Sequence, residues 1–152
     1  MPNIRAWVDT GFLVALFARD DAYHASALEF LKKAANIKFH LIWPVVTEAA
    51  FFLNNTGKVA MLEWLAYKPI VFHDIHVADL PAIRVVIEKY HNLSPDFTDA
   101  ALVALADRYG IDSIVTVDVR DFSVYRLASS QSFTRRGPYF HDNLRVSTHS
   151  QR

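Results

Sequence analysis

The chain has 152 residues, 52% of them hydrophobic and 21% charged, which is the composition of one ordinary globular domain. Sixteen basic and sixteen acidic residues cancel, so the overall charge does not predict indiscriminate binding to nucleic acid or anionic membranes, and the lack of cysteine excludes disulfides and zinc–thiolate sites. The first residues lack a signal-peptide pattern and no apolar run reaches the ~18 residues of a membrane span, so we expect a soluble cytoplasmic protein without membrane contact.

The amino-terminal segment alternates between strand and helix patterns. Ile4–Val8 predicts a strand that ends abruptly at Asp9–Gly11, and a buried helical stretch begins at Phe12. Asp20 or Asp21 is expected to cap a longer amphipathic helix. The first unit is therefore predicted to be a strand followed by two helices.

A second unit of strand and helix begins near residue 40. His40–Trp43 predicts a strand that Pro44 closes. Thr47 is expected to cap the following helix, which then carries Glu48 in its first turn and stops at Gly57.

The same alternation continues to residue 117. Helices are predicted at Lys58–Tyr67, at Leu80–Tyr90 and from Thr98 to the stop at Gly110, and strands at Pro69–His73 and Ser113–Val117. Strands that alternate with helices predict an α/β protein. We expect a three-layer fold in which helices flank a central, mostly parallel sheet of four or five strands.

The carboxyl-terminal residues have a different composition. After Phe122 the chain becomes richer in Ser and Arg, and little periodicity remains. We therefore predict one domain over residues 1–133 and an extended or partly ordered tail over residues 134–152. Three arginines of this tail contact either RNA, a partner protein or only solvent, and the sequence leaves these alternatives open: Arg135, Arg136 and Arg145.

Four acidic residues are expected to meet at one edge of the sheet. Asp9 and Asp118 directly follow apolar strands, and Glu48 and Asp99 are predicted in first turns of helices. Ligands of open α/β sheets bind beyond the carboxyl ends of the strands, so the acids converge there if the first and fourth strands are neighbours. Converging carboxylates repel one another unless cations neutralise them, and an all-oxygen site suits Mg²⁺ or Mn²⁺.

Each acidic residue taken alone also has a structural explanation. Asp96 and Asp99 suit helix caps, Glu48 suits a capping arrangement, and Asp118 and Asp121 suit a turn. Because these positions favour acidic residues for local reasons, the structural explanation leads for any single residue by roughly three to one. The set of acids is less easily explained in this way.

Four segments resemble the acidic motifs of the PIN-domain family in order and spacing, across roughly residues 4–126. These segments are Ala6–Phe17, Val45–Glu48, Pro95–Ala106 and Val115–Phe122. The resemblance implies a central parallel sheet, a ribonuclease that uses Mg²⁺ or Mn²⁺ to hydrolyse phosphodiester bonds of RNA, and a homodimer.

Transferred by position, the resemblance implies four catalytic and metal-binding acids: Asp9, Glu48, Asp99 and Asp118. It also makes Thr10 a supporting hydroxyl that can hold a metal-bound water, and Asp96 and Asp121 helpers of the site. Asp96 precedes Asp99 by three residues, so Asp96 either extends the metal site or caps the helix. Both roles stay open.

The chain is similar in size to the VapC-type toxins of toxin–antitoxin pairs in this family, which implies a cognate antitoxin protein. Candidate phosphate contacts are Arg19, Arg120 and Arg126, because they lie near acidic motifs in sequence. Phe51–Leu53 is a run of large apolar residues that is either buried on several sides or part of a dimer contact.

Other classes of protein fit the sequence less well than a PIN-type ribonuclease does. A non-catalytic PIN-like module that binds RNA or protein is the main alternative. A phosphotransfer receiver would want paired acids after the first strand, and a phosphatase of the haloacid dehalogenase type needs a second Asp where Gly11 stands. The seven histidines form no metal-binding HExxH pattern, so we expect them to be structural or exposed.

Overall fold

The computed structural model describes residues 4–117 and 122–140, which form five strands and six α-helices. The strands are β1 Ile4–Val8, β2 Ile37–Ile42, β3 Val71–His73, β4 Ser113–Val115 and β5 Thr134–Arg136. The helices are α1 Thr10–Phe17, α2 His24–Lys33, α3 Trp43–Phe51, α4 Asn55–Tyr67, α5 Leu80–Lys89 and α6 Phe97–Tyr109.

All five strands are parallel and lie in the order β3-β2-β1-β4-β5. Helices cover both faces of the sheet: Phe39 of β2 packs on Trp64 of α4, and Trp7 of β1 packs on Tyr109 of α6. The predicted three-layer α/β fold is confirmed, including the neighbouring positions of β1 and β4. None of the helices in the described ranges is long and apolar enough to cross a membrane.

The sheet continues past the boundary that we drew at residue 133. Thr134–Arg136 forms β5 and pairs with β4, so the first residues of the expected tail belong to the sheet. Residues 141–152, which contain Arg145, lie outside the described residues. The division into a domain and a tail therefore stays a prediction for that last segment only.

Helix α3 begins earlier than the sequence predicts. Pro44 lies in its first turn, where proline is well tolerated because the amide there has no partner within the helix. Thr47 does not cap the helix; its hydroxyl donates to the carbonyl of Trp43 at 3.2 Å, one turn back. Glu48 is consequently the sixth residue of α3, and its predicted place in the first turn was wrong.

Gly57 does not stop a helix but lies in the first turn of α4. Asn54 caps this helix by accepting a hydrogen bond from the amide of Gly57 at 2.8 Å. A Cβ atom at position 57 would lie 2.7 Å from the carbonyl oxygen of Phe17. Glycine is therefore needed here because α4 approaches the end of α1 closely.

The other predicted helix ends had mixed outcomes. Asp21 accepts a hydrogen bond from the amide of Tyr23 at 2.8 Å and forms a turn, so α2 begins only at His24 and has no side-chain cap. In contrast, Gly110 ends α6 as predicted, in the left-handed conformation with φ of 66°.

The buried His40 and the half-buried His73 lie together beside Trp7. Nδ1 of His40 lies 2.7 Å from Nε2 of His73, and the two rings stack. Burial, together with smaller effects of the charges of His73, Arg5 and Lys38, lowers the pKa of His40 from 6.5 to about 4. Burial also lowers the pKa of His73. The pair therefore lies at the edge of the core and is neutral at pH 7, in agreement with the structural role expected for histidines.

The burial of His40 predicts that the folded protein is less stable in acid. Because the folded pKa of His40 lies below 6.5, the unfolded chain binds more protons between pH 6.5 and about 4, and folding stability falls as the pH falls through this window. The full loss is about 3 kcal/mol, since His40 is almost fully buried. Urea unfolding across this window should give a shallower pH slope for His40→Asn than for wild type. His91→Asn, at an exposed position, is the control, and equal slopes in all three proteins would contradict the prediction.

Candidate active site

The acidic residues lie at the carboxyl ends of β1 and β4, around a crevice of about 350 Å³. Several elements contribute residues to it, because β1 and β4 are neighbours in the sheet and because α1, α3 and α6 all begin near this edge. The crevice is lined by Asp9, Thr10, Gly11, Glu48, Leu93, Asp96, Asp99, Phe122, Val124 and Tyr125. Four of the expected acids therefore share one crevice.

Asp9 is the most buried of these acids, with 5% of its surface exposed. It follows β1 directly and is the cap of α1, where one carboxylate oxygen accepts from the amide of Thr10 at 2.7 Å. The other oxygen accepts from the hydroxyl of Thr116 at 3.0 Å. The amide of Asp9 donates to the carbonyl of Val115 at 3.0 Å, which ties the residue to β4. Asp9 is thus fixed from both strands.

Glu48 reaches the crevice from α3 and is held by two hydroxyl groups. One of its carboxylate oxygens accepts from Thr10 at 3.1 Å, and the other accepts from Thr98 at 2.6 Å. Thr10 therefore joins the two acids, since its amide binds Asp9 and its hydroxyl binds Glu48. Its expected role toward a metal-bound water stays a prediction.

Asp96 and Asp99 lie one turn apart at the start of α6. Asp96 caps this helix, because its carboxylate accepts from the amide of Asp99 at 2.8 Å. Both side chains also line the crevice. The capping role of Asp96 is therefore present, and a further role in metal binding remains a prediction.

Asp118 and Asp121 lie outside the described residues, as does Arg120. The last described residues before this gap, Thr116 and Val117, are buried beside Asp9 and Gly11. Among the described residues, no group of three or more acidic or histidine side chains is close enough to hold a metal ion. The place of Asp118 in the acidic set stays a prediction.

Two of the arginines proposed for phosphate binding do not line this crevice. Arg19 lines a separate pocket between α1 and α4. Arg126 donates through its guanidinium to the carbonyls of Ser123 and Tyr125. Since no lysine or arginine is among the lining residues, the described part of the crevice is acidic and apolar.

Sequence reasoning missed the two hydroxyls that hold the acids, Thr98 and Thr116. Both side chains are buried, at 3% and 0% exposure. The available signal was their position, because each lies next to or shortly before an acidic residue of a motif. A buried hydroxyl in such a place needs an acceptor, and the structure shows that the acceptor is an acid of another motif, Glu48 for Thr98 and Asp9 for Thr116.

The fold and the acidic crevice at the carboxyl ends of β1 and β4 place the chain in a known class. The family described as "PIN domain" matches residues 6–127, which is most of the sequence, and the chain belongs to this family. The resemblance drawn from the four acidic motifs is therefore confirmed.

Two proteins of Mycobacterium tuberculosis are similar to this chain. It is 29% identical over 132 residues to the protein named Ribonuclease VapC26, covering 84% of this chain and 96% of that protein. The fold is similar to the crystal structure of VapC20, described as a sarcin-ricin loop cleaving toxin, with a TM-score of 0.68 and 19% identity. That likeness covers 76% of this chain and 91% of the VapC20 chain.

Proposed function

We propose that this protein is a metal-dependent endoribonuclease that hydrolyses phosphodiester bonds of RNA, and that it is the toxin of a toxin–antitoxin pair. The observation that carries the proposal is the shared crevice of Asp9, Glu48, Asp96 and Asp99 in a chain of the PIN-domain family. The names of the two similar proteins support this proposal, since one is called a ribonuclease and the other a sarcin-ricin loop cleaving toxin.

The donor atoms of the crevice fit Mg²⁺ or Mn²⁺. They are carboxylate and hydroxyl oxygens, which these hard ions prefer. Mg²⁺ usually keeps several waters and takes only one or two carboxylates from the protein, so a group of three close acids is not required. Asp9, Glu48, Asp99 and Asp118 would hold the ion, one or two of them directly and the others through its bound waters, with Asp96 and Asp121 as helpers.

The residues of this chain have separate roles in the proposed reaction. Thr116 and the amide of Thr10 hold Asp9, and Thr10 and Thr98 hold Glu48, so the two carboxylates keep their positions before RNA arrives. A bound divalent ion would lower the pKa of the attacking water and neutralise charge on the phosphodiester. Such help is needed because no basic side chain is among the lining residues of the described crevice.

Metal binding distinguishes the ribonuclease from a non-catalytic module. Calorimetric titration of the purified chain with Mn²⁺ should give saturable binding that Glu48→Gln weakens, because one carboxylate of the site loses its charge. Glu63→Gln, at an exposed position on α4, is the matched control. A wild-type protein that binds no divalent ion would contradict metal dependence and favour the module that only binds RNA or protein.

Thr98→Val is expected to lower RNA cleavage by about tenfold to a hundredfold, as losses of groups that orient metal ligands do. Valine keeps the shape of threonine but removes the 2.6 Å hydrogen bond to Glu48. Thr98→Ser restores the hydroxyl and should recover most of the activity. Cleavage rates under single-turnover conditions and melting temperatures of all three proteins check this expectation; unchanged cleavage by Thr98→Val would contradict it.

We also propose a homodimer and a cognate antitoxin as partners. Phe51 and Phe52 are 83% and 70% exposed at the end of α3, beside an apolar groove of about 500 Å³ that Met61 and Leu62 of α4 help to line. Such exposed apolar surface is typical of contacts between proteins. Light scattering of the wild-type protein should give twice the mass of the chain. Phe51→Ser should lower the measured mass toward that of a single chain if this surface forms the dimer.

The toxin assignment has its own test. Induced expression of the wild-type chain in a bacterial host should stop growth, because cleavage of cellular RNA blocks protein synthesis. Asp9→Asn, expressed to the same level, should permit growth. Equal growth of both strains would contradict the toxin assignment without affecting the ribonuclease activity measured in solution.

A further inference from the structure

The crevice is lined by two kinds of side chain. Besides the carboxylates, Leu93 and Val124 lie at its mouth with 51% and 48% of their surface exposed, and Phe122 and Tyr125 line it from buried positions. Leu93 ends a 3₁₀ turn before α6, and Val124 lies in the segment after the fourth acidic motif. Exposed apolar side chains thus lie directly beside the acids.

The segment that carries Val124 is fixed in place. The amide of Arg126 donates to the hydroxyl of Tyr90 at 2.9 Å, and the guanidinium of Arg126 donates to the carbonyls of Ser123 and Tyr125. The ring of Tyr125 packs edge-on against the rings of Tyr90 and Phe122. Val124 is consequently held at the crevice by the contacts that its neighbours make with Tyr90 at the end of α5.

Both Leu93 and Val124 are within two residues of a residue in the left-handed backbone conformation. Phe122 has φ of 60°, and Ser94, directly after Leu93, has φ of 46°. Such conformations are unfavourable for residues other than glycine, and they occur often at functional sites. The ring of Phe122 packs on Phe133 and is 3% exposed, so its burial compensates for this strain.

The apolar side chains at the opening of the crevice, Leu93 and Val124, indicate which part of an RNA substrate binds there. Leu93 and Val124 offer no hydrogen bond and no charge, so they have nothing to attract a phosphate or a ribose hydroxyl. They do fit the flat face of a nucleobase, which is apolar and available only when the nucleotide is unpaired. We infer that Leu93 and Val124 form a subsite for one unpaired nucleobase next to the scissile phosphate, an inference that rests on the proposed ribonuclease function.

The test compares intact RNA with RNA that lacks one base. The cleavage site of the wild-type protein is first mapped in a mixed-sequence single-stranded RNA. Short synthetic RNAs with this site are then made intact, and with an abasic nucleotide on one or the other side of the scissile phosphate. Leu93→Ser and Val124→Ser should each lower kcat/KM on the intact RNA by about tenfold, and on one of the abasic RNAs by no more than about twofold.

Val85→Ser on α5 is the matched control, because Val85 is 53% exposed and lies outside the crevice. It should cleave all three RNAs at the wild-type rate. Equal losses on the intact RNA and both abasic RNAs would overturn the subsite, because the two residues would then act through the fold. Unchanged cleavage by Leu93→Ser and Val124→Ser would also overturn it and would assign the apolar mouth to a protein partner. A wild-type protein that cuts no RNA would overturn the ribonuclease proposal itself and the subsite with it.

Discussion

Asp9→Asn is expected to lower the rate of RNA cleavage by roughly a thousandfold, the effect of losing several kcal/mol of charge stabilisation at the reacting phosphate. Asp9 is the acid that the structure fixes most firmly, with one oxygen bound by the amide of Thr10 and the other by the hydroxyl of Thr116. Asparagine has nearly the same shape but carries no charge. The fold should therefore survive while the proposed metal site is lost.

The measurement is a single-turnover cleavage rate with saturating protein, together with a melting curve of each variant. Asp20→Asn is the matched control, since Asp20 is exposed and does not line the crevice. It should cleave as the wild type does. Wild-type rates from Asp9→Asn, in a protein that melts normally, would show that this acid has no part in the chemistry.

Gly137→Ala is expected to lower the free energy of unfolding by about 3 kcal/mol, which is a large effect for one methyl group. Gly137 has φ of 146°, and a Cβ atom there would lie 1.9 Å from the carbonyl oxygen of Thr116. The amide of Thr116 also donates to the carbonyl of Arg136 at 2.8 Å. The added methyl group must therefore push β5 away from the segment after β4.

This displacement should also lower RNA cleavage, because Thr116 holds Asp9. Gly110→Ala is the control: Gly110 also has a positive φ of 66°, but a Cβ atom there would have no atom within 4 Å among the described residues. It should cost only about 1 kcal/mol, from backbone strain alone. Urea unfolding compares the two variants, and equal destabilisation would contradict the close contact at Gly137.

The sequence was sufficient to predict the fold because most elements carry strong local signals. The alternating apolar pattern of Ile4–Val8 and the start and stop of α6 at Asp96 and Gly110 need no distant contact to be recognised. β5 could not be found in this way, because a strand of three residues, Thr134–Arg136, is too short to show a period. The helix stop predicted at Gly57 was wrong because glycine is required there by a close contact with α1, forty residues earlier in the chain.

The convergence of the acids in one crevice was also predictable, and the groups that hold them were not. Asp9, Glu48 and Asp99 were found from motifs whose order and spacing resemble a family pattern, and they line one crevice. Thr98 and Thr116 bind their acids across 50 and 107 residues of sequence, so their position within a motif does not show which acid each of them binds. The apolar mouth of Leu93 and Val124 is likewise assembled from two distant loops, so only the structure reveals it.

The central claim is that the acidic crevice cuts RNA with the help of a divalent ion. The most direct test incubates the purified chain with a mixed-sequence single-stranded RNA in Mg²⁺, in Mn²⁺ or in EDTA, beside Asp99→Asn under the same conditions. We predict cleavage by the wild type with Mg²⁺ or Mn²⁺, none in EDTA, and none by Asp99→Asn in any condition. Cleavage that persists in EDTA or in Asp99→Asn would contradict the claim, and a wild type that never cuts would favour a protein that only binds.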